Sequence, residues 1–456
     1  MQNQNQDQKK NPEEASEQQP FSETDRKFAK IKIALFCVLM VGGFLVGLLF
    51  FLRPAESAKE KRKLTEFPAF SIQSFLSGAY TNQISTWYAD TYPFREALIG
   101  ADQSFKSLSG FRGTQLDKGN KGDKIDTGDT RSLDDILSDL EESRKNDPIT
   151  DPAGDAEMIE GYYIVGDTAY ELYAFSQMNS LKYAQLINQA AASVSGKAKV
   201  YDLIVPLSYA VALSPETQKK INASDCEEAI AYMYRYMDST VRTVDAMSAL
   251  RAHRNEYLYY RTDHHWTALG AYYAYTAFCE SAGVSALPLS SWQEYRFEGF
   301  LGTLYNHTGS GALAKNPDTV YAYLPNGTNS AHVTERNGKS ADYAIMQTAT
   351  DRWYPRADSK YNCFIAGDNP LTEIHNPLKS DGSSIVVVKE SFGNAFVPFL
   401  VDSYEYVYVI DYRYYTDMTL SRFVTEKNID TVLFINNVIA TSAGVRLDEM
   451  GRLIRG

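Results

Sequence analysis

Two short segments of this 456-residue chain concentrate side chains able to do acid–base and nucleophilic chemistry. The first runs Tyr260-Arg261-Thr262-Asp263-His264-His265-Trp266-Thr267 and holds two of only six histidines next to an aspartate. A lone histidine is usually a satisfied structural residue. An Asp two positions from a His, just ahead of a helix that Thr267 can cap, points instead to a functional pair. The second runs Ile385-Val386-Val387-Val388-Lys389-Glu390-Ser391-Phe392-Gly393-Asn394-Ala395-Phe396. Here an apolar, β-branched strand leads straight into a serine, and a helix follows. That order puts the hydroxyl at the carboxyl end of a parallel strand, where open α/β sheets carry their sites. The G-x-S-x-G nucleophile elbow is absent, but the next helix aims its first N–H groups at a developing oxyanion. Taken alone, Ser391 reads equally well as a plain helix cap.

Together the two segments hold every part of a serine triad. A serine hydroxyl needs a base, an imidazole serves near neutral pH, and a carboxylate fixes the imidazole tautomer and stabilises its charged form. Asp263 and His265 alternate, so in an extended stretch they project to one side and His264 points away. Ser391, His265 and Asp263 are the candidate catalytic residues. A metal-dependent phosphoesterase also uses an Asp-His-His run, but it needs further carboxylates at strand ends. The nearest look-alike, Asp151-Pro152-Ala153-Gly154-Asp155, has no strand before it. No metal and no cofactor is expected.

The elements that must position these residues follow from the hydrophobic pattern. Strands are predicted at Tyr162 to Val165, Val200 to Val205, Ile385 to Lys389, Tyr406 to Ile410 and Val432 to Ile435. Helices are predicted at Leu181 to Val194, Glu227 to Met237, Val244 to Ala252 and Ala268 to Ala282. Short apolar strands separated by helices predict an α/β fold whose parallel sheet is covered on both faces. Residues Gly311 to Tyr361 read as a β-rich excursion. Residues 113–157, poor in aromatics, read as a flexible acidic insertion around one short helix, Leu133 to Leu140. The catalytic α/β domain is then 158–456, with 53–112 as a helical segment ahead of the insertion.

Residues 1–32 are rich in Gln, Asn, Glu and Lys and read as a disordered cytoplasmic tail. From Ile33 to Leu52 every residue is apolar or Gly, about 20 residues, enough to span a ~30 Å hydrocarbon core. A cleaved signal peptide is the rival, yet its apolar region is shorter. An uncleaved single-pass anchor at 33–52 is therefore expected. Basic residues flank both ends, so charge does not decide orientation; long domains translocate largely regardless of it. The net charge of −12 argues against nucleic acid as a partner. The 32 tyrosines suit either ordinary packing or sugar-like ligands. Cys226, Cys279 and Cys363 show no C-x-x-C spacing, and one disulfide among them is open.

Thr262-Asp263-His264-His265-Trp266-Thr267 resembles the signature of the bacterial DHHW proteins, which are similar to the alginate O-acetyltransferase family of SGNH-type acyltransferases. Phe67-Pro68, Asp90 to Arg95 (DTYPFR), Gly299 to Tyr305 (GFLGTLY) and Asp411 to Tyr415 (DYRYY) look like further family landmarks. Glu390 departs from the pattern, standing where these proteins carry Asp. The resemblance covers Leu64 to the C-terminus apart from the insertion. It implies an SGNH-hydrolase-like α/β fold outside the membrane. It also implies acyl transfer, usually acetyl, onto hydroxyls of an exported or cell-surface polysaccharide, with the donor arriving through a membrane-bound O-acyltransferase partner. The Ser391 N–H and the Asn394 side chain become oxyanion candidates. Trp266 and Arg413 are candidates for substrate contact or for structure. A carbohydrate acetyl-esterase with the same triad, and a non-catalytic polysaccharide-binding or assembly protein, remain as alternatives.

Overall fold

The computed structural model describes residues 53–57, 62–72, 79–94, 149–159, 161–354 and 356–456, together with positions 32, 34, 36–38, 41–42, 45–46, 75 and 122–123. The chain divides into two compact units, Met1–Asp102 and Gln103–Gly456. In the first, helix Ala79–Asp90 buries Trp87. The Arg53 guanidinium lies 3.9 Å from the centre of that indole, and Phe67 of the Phe67-Pro68 pair packs edge-on against it. The described positions between 33 and 52 are helical. Among the described residues no helix is long and apolar enough to cross a membrane, so the anchor expected there lies largely outside them. The expected helix at 133–140 also lies outside the described residues.

The second unit is built on an eight-stranded sheet. Its strands are β1 (Lys199–Val205), β2 (Val241–Thr243), β3 (Ser330–Thr334), β4 (Ser340–Ala344), β5 (Leu371–His375), β6 (Ser384–Lys389), β7 (Tyr406–Asp411) and β8 (Thr431–Asn437). Across the sheet the order is β4-β3-β5-β7-β6-β8-β1-β2. The five strands from β7 to β2 are mutually parallel. Val386, Val387 and Val388 at the centre of β6 are wholly buried, as a strand covered on both faces requires.

The expectation of a purely parallel sheet is corrected at one edge, where β3, β4 and β5 run antiparallel. The physical reason is visible in β3, whose side chains alternate between exposed and buried. A strand with one solvated face suits an antiparallel edge. The β3–β4 hairpin and the strand Asp318–Leu324 make up the β-rich part of the 311–361 excursion. A separate antiparallel pair, Gln293–Phe300 with Asp318–Leu324, and a three-stranded meander, Ala156–Ile159, Tyr162–Val165 and Thr168–Glu171, complete the strands of this unit among the described residues. The meander starts inside the segment 113–157. Asp151, also in that segment, accepts bonds from the N–H and hydroxyl of Ser214 and from the Thr217 hydroxyl.

Helices α1 (Gln177–Ser193), α2 (Ala268–Ala282) and α3 (Gly393–Leu400) flank the sheet with their neighbours. Helix α1 packs on Cys226–Arg235 and Gly444–Arg455, and α2 packs on Ala246–Ala252 and α3. Thr267 caps α2 as expected, its hydroxyl accepting the Gly270 N–H. All four cysteines are free, and Cys226, Cys279 and Cys363 are buried.

Candidate active site

Strand β6 ends at Lys389, in register with Asp411 of β7 and Ile435 of β8. The residues that follow these three register positions, Glu390-Ser391, Tyr412-Arg413 and Asn436-Asn437, therefore gather at one carboxyl edge. Ser391 sits in a turn between β6 and α3 and is half-buried. The turn is tight because Gly393 lies against Lys389: a Cβ on Gly393 would stand 2.7 Å from the Lys389 Cβ.

The partners of Ser391 arrive from a loop 126 residues away in sequence. His265 Nε2 lies 2.7 Å from Ser391 Oγ, and His265 Nδ1 lies 2.6 Å from Asp263 Oδ1. Asp263 and His265 are both buried. With the carboxylate holding a proton on Nδ1, Nε2 presents its lone pair to the hydroxyl. Burial alone would push the Asp263 carboxyl up. The adjoining His265 and His264 imidazoles and the bonds donated to it more than reverse this, holding it well below the usual carboxylate range.

Asp263 is anchored from a segment that pattern-reading marked only as a landmark. Its Oδ2 accepts the Thr303 N–H at 2.8 Å and the Thr303 hydroxyl at 3.0 Å. Gly302 passes so close that a Cβ there would lie 2.3 Å from Asp263 Oδ2. Behind the loop, buried Asp318 accepts from the Thr262 N–H at 2.7 Å and the Thr262 hydroxyl at 2.6 Å. His265 is held from its flat side by Tyr361, whose ring stacks on it at 4.1 Å and whose hydroxyl donates to the Ser391 carbonyl.

His264 is a correction. The stretch 261–265 is a run of bends closed by a Tyr259–Trp266 bridge, so strand alternation does not apply to it. The His264 ring lies 3.9 Å from that of His265, and its Nδ1 meets the Thr303 hydroxyl. Burial, then the neighbouring His265, pushes the His264 imidazole down from its ordinary value. Asp263, His264 and His265 offer possible ligand atoms within 4.8 Å of one another.

The remaining candidates lie elsewhere around the turn. Trp266 is wholly buried and donates its indole N–H to the Phe392 carbonyl, so it supports the Ser391 turn from beneath and has no surface left for a substrate. Asn394 is also buried, and its amide donates to Asp368 Oδ1 at 2.9 Å. Arg413 clasps Asp411 through Nε (2.8 Å) and a terminal nitrogen (2.6 Å), and reaches Asp368 at 3.0 Å. Buried Lys389 joins the same pair of carboxylates. Asn394 and Arg413 thus belong to an ion cluster beneath the turn.

Glu390 reads differently. One of its oxygens accepts the Phe392 N–H and lies 3.2 Å from Ser391 Oγ, while the other accepts the Asn437 N–H. Its carboxylate ties β6 to β8 beside the nucleophile. Glu171, the last residue of its strand, is pushed up by burial and lies within electrostatic range of His264, Asp263 and Glu390. Sequence reasoning passed over Thr303, Asp318, Tyr361 and Glu171. The GFLGTLY landmark was the one signal that pointed at any of them.

Residues 60–147 and 132–410 match the family described as DHHW protein. Among solved structures, the chain is 32% identical to a DHHW family protein from Eubacterium siraeum, with a TM-score of 0.58 over 66% of this chain and 98% of that one. Bacillus cereus PatB1 shares the fold at 16% identity, with a TM-score of 0.51 over 64% of this chain and 99% of that one. A second PatB1 structure, with a sulfonyl adduct, gives 0.52 at the same identity, covering 64% and 97%. No curated protein matches the chain at a significant level.

Proposed function

The chain belongs to the DHHW protein family, and we propose that it is a membrane-anchored, extracytoplasmic serine O-acyltransferase acting on an exported or cell-surface polysaccharide. The observation that carries this is the unbroken run of hydrogen bonds from Asp263 through His265 to Ser391. In the first half-reaction Ser391 Oγ attacks the acyl carbonyl as His265 Nε2 takes its proton. The imidazolium then returns that proton to the departing donor, leaving an ester on Ser391. In the second, a sugar hydroxyl gives its proton to Nε2 and attacks the ester, and Ser391 Oγ leaves with that proton. The Phe392, Gly393 and Asn394 N–H groups already bond to Glu390 and to the Ser391 carbonyl, so the donor proposed for the developing oxyanion is the Ser391 N–H.

The apolar run from Ile33 to Leu52 supports the anchor, with the tail inside and the catalytic unit outside. An acyl donor on the far side of a membrane requires delivery, which supports a membrane-bound O-acyltransferase as partner.

An activated serine hydroxyl attacks the sulfur of a sulfonyl fluoride and displaces fluoride, far faster than an ordinary hydroxyl does. The full chain treated with one should gain a single adduct, mapped by peptide mass spectrometry to Ser391. Adduct formation that survives Ser391→Ala would rule out this nucleophile. Turnover of an acetyl ester with and without oligosaccharide then separates transfer from hydrolysis, since water alone as acceptor would make the protein an esterase.

A further inference from the structure

The loop that carries Asp263 and His265 also borders a cleft of about 360 Å³, to which it contributes Arg261 and Thr267. Tyr257, Tyr321, Tyr323, Glu294 and Thr319 make up most of the remaining wall. This volume lies at the small end of ligand pockets. The Gln293–Phe300 and Asp318–Leu324 pair sets Glu294 opposite Tyr323 and Arg296 opposite Tyr321, so these four share a face.

The polar groups hold one another in place. The Tyr323 hydroxyl donates to Glu294 Oε2 at 3.2 Å, and Arg296 donates to Glu294 Oε1 at 2.8 Å while standing over the Tyr321 ring. Arg261 donates to Asp318 Oδ1 and to the Pro317 carbonyl. Two guanidinium groups are thereby balanced by two carboxylates. None of these side chains touches Ser391 or His265.

We propose that this cleft binds one pyranose unit of a neutral or N-acetylated glycan, as a subsite for the acceptor chain; this rests on the acyl-transfer function above. A pyranose presents C–H edges of partial positive charge, which suit the negative faces of tyrosine rings. Its vicinal hydroxyls suit planar carboxylate and guanidinium partners. Balanced charge leaves no net positive field to attract a uronate or a phosphate. The cleft also gives part of the tyrosine excess a use beyond packing.

The test is calorimetric binding to the full chain carrying Ser391→Ala, which cannot turn over. The probes are cellotetraose, tetra-N-acetylchitotetraose and a mannuronate tetramer. Saturable binding of at least one of the first two is expected, with the uronate weaker. Tyr321→Ala should weaken that binding by about tenfold, the scale of a stacked aromatic anchor, and Tyr321→Phe should keep it. If Tyr321→Ala fails to fold, Glu294→Ala decides by the same measure. No binding of either neutral glycan, tighter binding of the uronate, or unchanged affinity in the variants would overturn the proposal. Sulfonylation of Ser391 does not depend on glycan, so the cleft and the nucleophile fail separately.

Discussion

On one side of Ser391, Asp263 and His265 form a chain of single hydrogen bonds that ends at a half-buried hydroxyl. On the other, Lys389, Arg413, Asp368 and Asp411 form a closed set in which two cations and two anions satisfy each other. Both are largely buried and both hold carboxylates below their ordinary range. The difference lies in what remains mobile. The His265 imidazole has one nitrogen fixed by a carboxylate and the other facing a hydroxyl, so a proton can move along the line. In the ion cluster the Arg413 charge is permanent, and every carboxylate is already paired. One arrangement is suited to chemistry and the other to holding the ends of β6 and β7 together.

The sharpest way to break this contrast is His265→Ala. Turnover of an acetyl ester should fall by about 10³-fold or more, because a triad loses most of its function with one member. The melting temperature should change little by comparison. A folded His265→Ala that keeps near-normal turnover would end the assignment.

Asp411→Asn should behave in the opposite sense. Removing one partner of a buried pair costs about 3–5 kcal/mol, because Lys389 and Arg413 are left partly uncompensated. Chemical denaturation should show that loss, with the surviving folded protein still open to sulfonylation. The acid side sharpens the point. A carboxylate depressed in the folded state adds stability above its unfolded value, and that stability is lost as pH falls through the folded value. Asp368 and Asp411 are both depressed, burial being outweighed first by Arg413 and then by Lys389. The wild type should therefore lose stability below about pH 4, and Asp411→Asn should show a shallower slope there.

Gly302→Ala tests whether the Asp263 anchor matters as much as the triad itself. The new Cβ would collide with Asp263 Oδ2. Displacing that carboxylate by about 1 Å should lower turnover by about 10²-fold, with sulfonylation of Ser391 slowed in parallel. Equal turnover in Gly302→Ala and wild type would show that the carboxylate tolerates displacement.

The smallest effect is expected at His264. Its bond to Thr303 supports the Asp263 anchor without touching Ser391, so His264→Ala should lower turnover by less than about tenfold. Loss equal to that of His265→Ala, together with sensitivity to a chelator, would point to a metal held by the two imidazoles and Asp263.

Much of the frame was legible in the chain. Ile385 to Val388 is too uniformly apolar and β-branched to be anything but an interior strand, and Ala268 to Ala282, with Thr267 to cap it, appears as α2. These elements answer to neighbours a few residues away, which a periodicity test can read. The antiparallel edge was harder, because the alternation in β3 covers only five residues and sits among turn-forming types.

By itself, then, the sequence determined the central strand, the serine at its end, and an Asp and His spaced to act together. Only the tertiary structure decided what surrounds them. That Thr303 and Gly302 hold Asp263, that Tyr361 stacks on His265, and that Asn394 and Arg413 turn toward Asp368 are contacts between segments far apart in the chain. No local pattern encodes such contacts, since they depend on which strand ends the parallel register brings to the same edge. His264 shows the limit most plainly: alternation predicts its direction only in an extended strand, and the loop is instead closed by the Tyr259–Trp266 bridge.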